Sequence, residues 1–147
     1  MIDTGPNSPS RTQYRKEILL AEDDDELRES LVGLFEHDGY WVTGVPDGDQ
    51  FLAFIEPIIL GERGYWLPDV IVTDVLMPGI PPIEVVDALR QVGCRVPVVV
   101  ISGLADPAIR AMVRDLGLYW LEKPLEPHRL EDAVIKALED RGKESTL

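Results

Sequence analysis

The stretch Val70-Ile71-Val72-Thr73-Asp74, continuing into Val75-Leu76-Met77-Pro78-Gly79, decides the fold. A run of β-branched residues that closes in a carboxylate and then meets a Pro-Gly pair reads as a buried strand carrying an acid at its carboxyl end. Three other short runs end in the same way. Ile18-Leu19-Leu20-Ala21 ends in Glu22-Asp23-Asp24, Val98-Val99-Val100-Ile101 ends in Ser102, and Leu118-Tyr119-Trp120-Leu121-Glu122 ends in Lys123-Pro124. In an open parallel sheet the carboxyl ends of the strands share one edge, and a crevice forms there where the strand order switches. These polar residues are therefore expected to converge.

Between the runs, apolar residues recur at helical spacing. Leu27, Leu31, Leu34 and Phe35 follow the capping candidates Asp24 and Asp25 and predict a first helix ending near Gly39. Tyr40-Trp41-Val42-Thr43 suits a second strand. Phe51, Leu52, Ile55, Ile58 and Ile59 give the second helix its apolar face, and Pro57 is expected to shorten or bend it. The stretch from Gly61 to Pro68 is a connection. Pro82 suits the first position of a third helix, with Ile83, Val86 and Leu89 facing inward. Ile109, Met112, Val113 and Leu116 mark the inward face of a fourth helix, and Leu130, Ala133, Val134, Ala137 and Leu138 that of a fifth. Five strands alternating with five helices imply parallel pairing through right-handed crossovers. The expected architecture is α/β, a doubly wound five-stranded parallel sheet flanked by five helices. It spans residues 17–140, between a mobile tail at 1–16 and a short polar tail at 141–147.

The 147 residues and 45% hydrophobic content suit one domain with a proper core and leave no room for a second folded output domain. A formal net charge of −13 opposes attraction to nucleic-acid phosphates or an anionic membrane surface. Residues 1–16 lack the apolar centre of a secretory signal. No apolar run approaches the roughly 20 residues a membrane-spanning helix needs. Cys94 is the single cysteine, so no internal disulfide can form. A cytoplasmic protein without direct nucleic-acid or membrane contact is the expectation.

Glu22, Asp23 and Asp74 brought together repel one another, so the site needs raised carboxyl pKa values or a bound cation. A divalent metal is the simpler solution. Mg²⁺ takes oxygen ligands, commonly one or two carboxylates with waters and a phosphate, which matches an acidic set lacking His and Cys. A carboxylate such as Asp74 can act as a nucleophile towards phosphorus, with metal and Lys123 neutralising the charge on the transferred oxygens. Ser102 is placed to bond a phosphoryl oxygen. Each piece alone has an ordinary reading: Glu22 or Asp24 as a cap, Ser102 as a loop polar, Lys123 as a surface cation. Four matched strand ends argue against all of those readings holding together.

From about Glu17 to Asp140 the chain resembles the response-regulator receiver domains of two-component signalling, which share a flavodoxin-like fold. The resemblance rests on Leu19-Leu20-Ala21-Glu22-Asp23-Asp24, Val72-Thr73-Asp74-Val75-Leu76-Met77-Pro78, Ile101-Ser102-Gly103 and Glu122-Lys123-Pro124. It implies Asp74 as phosphoacceptor from a histidine kinase or histidine phosphotransfer protein. It implies Mg²⁺ on Glu22, Asp23, Asp74 and the backbone carbonyl of Leu76, with Ser102 and Lys123 binding the phosphoryl group. It also implies a cis Lys123-Pro124 peptide. Trp120 stands where the family often has Tyr or Phe, the aromatic that turns inward as the hydroxyl residue moves. Phosphorylation is then expected to draw in Ser102, repack Trp120 and reshape the face of the fourth helix, fifth strand and fifth helix, through which a downstream protein is met.

The chain departs from the family pattern in places. Glu22 stands where Asp is common, and its extra methylene moves the carboxylate outward. Ile80-Pro81-Pro82 replaces a more usual Met-Asp-Gly, a stiffer turn without the acid. The connection carrying Tyr65 and Trp66 is longer than usual, which reads as a surface insertion or a contact surface. Leu76 and Leu104, each two residues beyond a site residue, are candidates to shield an acyl phosphate from water. Arg110 and Arg114 share a helix face at i, i+4 spacing, either solvated or partner-docking. His37 and His128 fall away from the strand ends. An FMN site wants small or hydroxyl residues where this chain has acids, and an aspartate-nucleophile phosphatase wants a second Asp where this chain has Leu76. No Walker loop or Gly-x-Gly-x-x-Gly fingerprint is present. The alternative to a phosphorylatable switch is a pseudo-receiver that binds proteins without phosphate.

Overall fold

A computed structural model describes residues 15–103 and 106–144. Residues 1–14 and 145–147 of the expected tails, and Leu104, lie outside the described residues. The chain alternates β1 (Glu17–Ala21), α1 (Asp25–His37), β2 (Trp41–Val45), α2 (Gly48–Ile59), β3 (Val70–Asp74), α3 (Pro82–Gln91), β4 (Val98–Ser102), α4 (Pro107–Asp115), β5 (Tyr119–Glu122) and α5 (Pro127–Glu144). All strand pairs are parallel, in the order β2-β1-β3-β4-β5. The order reverses between β1 and β3, and the residues that follow those two strands therefore flank the switch crevice.

Both faces of the sheet are covered, which is why its central strands are continuous apolar runs rather than alternating ones. Every residue of β3 and β4 is buried. Successive residues point to opposite faces, so Leu19 and Ala21 pack with α2, α3 and α4, whereas Ile18 and Leu20 pack with α1 and α5. Phe51 and Ile55 of α2 and Ile83, Val86 and Leu89 of α3 are buried on the first face; Leu31, Phe35, Leu130, Val134 and Ala137 are buried on the second. Asp24, Asp47 and Asp106 cap α1, α2 and α4, each side chain accepting a bond from a first-turn amide. Pro57 lies two residues before Ile59, the last residue of α2.

Two expectations need correction. Met112 is 47% exposed: α4 is short and buries only Val113, so its inward stripe is narrower than the spacing of Ile109, Met112, Val113 and Leu116 suggests. The last helix also continues through Arg141 to Glu144, because Arg141 is tied to the sheet by an Nη1–H donated to the Asp69 carbonyl at 3.1 Å. At the other end, Arg15 stacks over Trp41 at 4.4 Å and the Lys16 carbonyl accepts from the Trp41 amide. In the connection before β3, Tyr65 and Trp66 are exposed, and Gly61 and Gly64 adopt positive φ. Among the described residues no helix is long and apolar enough to cross a membrane.

Phe51 is fully buried where α2 meets the sheet. Phe51→Ala is expected to lower stability by about 3–5 kcal/mol, seen as a reduced urea midpoint with the native far-UV spectrum kept in buffer. An unchanged midpoint would contradict this packing.

Candidate functional site

The expected residues converge at the carboxyl edge of the sheet. Asp74 is the last residue of β3, and the next amide, Val75 N–H, donates to the Ile101 carbonyl of β4 at 3.1 Å. Glu22 follows β1, where its amide donates to Val45 O of β2 at 3.0 Å and its carbonyl accepts from Arg28 Nη1 at 2.9 Å. Ser102 ends β4 and pairs in register with Glu122 of β5, which puts Lys123 just beyond the edge. The Lys123-Pro124 peptide is cis.

Glu22, Asp74 and Ser102 are buried, and Asp23 is exposed. One carboxylate oxygen from each of Glu22, Asp23 and Asp74 lies within 4.8 Å of the others. Lys123 reaches over them, with Nζ 3.1 Å from Asp74 Oδ1 and 3.9 Å from Glu22 Oε1. Glu22 Oε2 accepts from the Asp24 amide at 3.0 Å. That leaves Glu22 Oε1 and Asp74 Oδ2 buried without a hydrogen-bond partner. Buried acceptors left unmatched are costly, and two of them facing one acidic cluster mark a place built for something positive. An all-oxygen donor set with orphaned carboxylate oxygens fits a hard divalent cation of the Mg²⁺ class.

The charges respond to this crowding. Burial first, and then the Asp74 carboxylate alongside, push the Glu22 carboxyl up to about 8. Burial acts to lower the Lys123 ammonium, but hydrogen bonding and attraction to Asp74, helped by Glu22 and Asp23, outweigh it and raise its pKa. Lys123 is thus a fixed positive charge at neutral pH.

Leu76 lines the same cleft with Asp74 and Ser102 and is 62% exposed. Trp120 is half-buried on β5, its Nε1 buried and unpartnered, and its ring lies 5.0 Å beneath the Arg110 guanidinium of α4. Arg110 also bridges to Glu122 Oε1 at 3.2 Å, so it does more than line a solvated face; Arg114 is exposed beside Asp115. His37 and His128 are on the surface. Sequence reasoning missed Asp49 and Gly48. The Asp49 side chain accepts from the Ile80 amide at 3.1 Å, and the Gly48 amide donates to Pro78 O at 2.9 Å. Asp47-Gly48-Asp49 signals a helix start, yet nothing in its sequence reports a contact with a loop about thirty residues away.

A family model described as the response regulator receiver domain matches residues 18–135. The chain is 36% identical over 122 residues to the transcriptional regulatory protein FixJ of Azorhizobium caulinodans, covering 82% of this chain and 54% of that protein. It is 32% identical over 126 residues to the C4-dicarboxylate transport transcriptional regulatory protein DctD of Pseudomonas aeruginosa, covering 85% of this chain and 26% of that protein. The chain thus spans between a quarter and about half the length of these two relatives. Its fold is shared with a CheY-like receiver domain protein from Methanospirillum hungatei, at TM-score 0.76 and 21% identity over 88% of this chain and 98% of that one. The chemotaxis response regulator CheY4 of Vibrio cholerae gives TM-score 0.71 and 24% identity over 84% and 99%.

The raised Glu22 pKa carries a sign for stability. From the ordinary 4.5 to about 8 the folded state holds a proton that the unfolded state has released, so stability falls as pH rises through that window. In chelator, the wild-type melting temperature is expected to fall between pH 5 and pH 8. Glu22→Gln should flatten that fall, and a divalent cation at pH 8 should raise the wild type more than the variant. A fall of equal size in both proteins would remove Glu22 as its cause.

Proposed function

Because the chain belongs to the response regulator receiver domain family, we propose that Asp74 accepts a phosphoryl group and that the chain acts as a phosphorylatable switch in a two-component pathway. The observation that carries this is the Asp74 carboxylate itself. It is buried, one oxygen is held 3.1 Å from the Lys123 ammonium, and the other is unpartnered beside Glu22 and Asp23. The donor is a phosphohistidine on a histidine kinase or histidine phosphotransfer protein. An Asp74 oxygen forms the new O–P bond as the N–P bond of the donor breaks, and the electron pair returns to the donor's imidazole nitrogen.

Glu22, Asp23, Asp74 and the Leu76 carbonyl would hold Mg²⁺. When bound, the ion supplies charge neutralisation on the phosphoryl oxygens. Lys123 contributes a second positive charge from the end of β5, at the same edge of the sheet, and Ser102 offers its hydroxyl to a phosphoryl oxygen. The chain acts on no separate substrate; at most it speeds its own phosphorylation and dephosphorylation. The receiver unit runs from β1 to the end of α5 at Glu144, working in the cytoplasm without direct nucleic-acid or membrane contact, and Leu76 shields the acyl phosphate. In that role it signals through a protein partner.

The readout surface is the α4-β5-α5 face. Movement of Ser102 towards the phosphoryl group makes room for Trp120 to turn inward, away from Arg110, in a two-state population shift. Burial of the ring would also give Nε1 a new environment.

Intact mass after incubation with a small-molecule phosphodonor and Mg²⁺ should show one added phosphoryl group, absent in Asp74→Asn and in chelator. No addition to the wild type would favour a phosphate-independent binding module. With Trp41 and Trp66 replaced by Phe, Trp120 emission should change on phosphorylation. Emission that ignores a phosphoryl group already detected by mass would eliminate the aromatic switch and leave the phosphoacceptor assignment standing.

A further inference from the structure

The loop from Val75 to Pro81 joins β3 to α3, and Pro78 and Pro81 within it, like Pro82 at the first position of α3, have no N–H. It has few means of bracing itself. Its middle, residues 78–80, is held by the first turn of α2. Gly48 N–H donates to Pro78 O at 2.9 Å, and Asp49 Oδ1 accepts from Ile80 N–H at 3.1 Å. The fit leaves no room for other residues: a Cβ on Gly48 would lie 1.7 Å from the Ile80 carbonyl oxygen. Gly79, at φ 87°, passes so close that a Cβ there would lie 2.7 Å from Asp49 Oδ1.

The consequence falls on Leu76. Val75 is anchored to Ile101 of β4, and Pro78 is anchored to Gly48, so only Leu76 and Met77 lie between two fixed points. Met77 packs on the core, whereas the Leu76 side chain faces solvent and cannot locate its own backbone. We propose that Gly48 and Asp49 are positioning residues: by clamping residues 78–80 they fix the Leu76 carbonyl, and so set the affinity of the acidic site for its divalent cation. The inference rests on the metal-assisted reading above. Asp49 acts here as a hydrogen-bond acceptor, not through its charge, and that difference makes the idea testable. Supporting residues one step behind metal ligands commonly change affinity by about tenfold or more.

The experiment is a calorimetric Mg²⁺ titration of the wild type, Asp49→Ala and Asp49→Asn, without phosphodonor. Asp49→Ala should weaken Mg²⁺ by about tenfold, and Asp49→Asn, which keeps an acceptor oxygen, should return it close to wild type. At saturating Mg²⁺, Asp49→Ala should still take up phosphoryl at the wild-type rate, a recovery that general damage would not allow. Equal weakening in Ala and Asn would mean that the charge of Asp49 acts through space and would overturn the clamp. Unchanged affinity in Asp49→Ala would overturn it too. No Mg²⁺ binding by the wild type would instead bring down the metal reading, and the clamp's role with it. Asp49 is exposed, so neither substitution disturbs the core.

Discussion

Two carboxylates, Glu22 and Asp74, are buried side by side at the edge of a hydrophobic sheet, and the rest of the structure is arranged around that conflict. Burial disfavours the Glu22 charge, and the Asp74 carboxylate alongside disfavours it further. Lys123 offsets only part of this, being close to Asp74 and 0.8 Å further from Glu22. What remains is seen in the raised Glu22 pKa and in two carboxylate oxygens without partners. A site left in that condition suits a cation, because the cost of gathering the carboxylates was met when the protein folded.

Holding such a site requires a rigid frame, and the sheet supplies it. The adjacency of β1 and β3 places Glu22 next to Asp74, and β4 and β5 bring Ser102 and Lys123 to the same edge. The loops beyond the strands cannot rely on core packing, so each is tied by specific bonds: the Glu22 backbone by Val45 and Arg28, and the loop after Asp74 by Gly48 and Asp49. These ties run mainly through backbone groups, which tolerate little displacement.

The Arg110–Trp120–Glu122 cluster is held differently. Both Arg110 and Glu122 are more than half exposed, where an ion pair contributes about 0.2–1 kcal/mol and a cation–π contact about 0.5–1 kcal/mol. Interactions of that size hold the aromatic only weakly, as the proposed inward turn of Trp120 requires. A rigid edge beside a weakly latched face is compatible with the two-state switch proposed above.

The sequence by itself determined the order of strands and helices, because short apolar β-branched runs, period-3.6 patterning and Asp caps are local properties. It also determined the four strand ends that carry Glu22, Asp23, Asp74, Ser102 and Lys123, since parallel crossovers send every carboxyl end to one edge. Met112 was misplaced because spacing shows which residues share a stripe but not how wide a stripe the neighbouring elements cover. The extent of the last helix beyond Asp140 was missed because the Arg141 bond to Asp69 joins residues 72 apart in the chain. Only the tertiary structure decided which oxygens are orphaned, that Arg110 sits over Trp120, and that Asp49 grips Ile80. Each of these depends on distances between elements brought together by folding, and such distances leave no periodic trace along the chain.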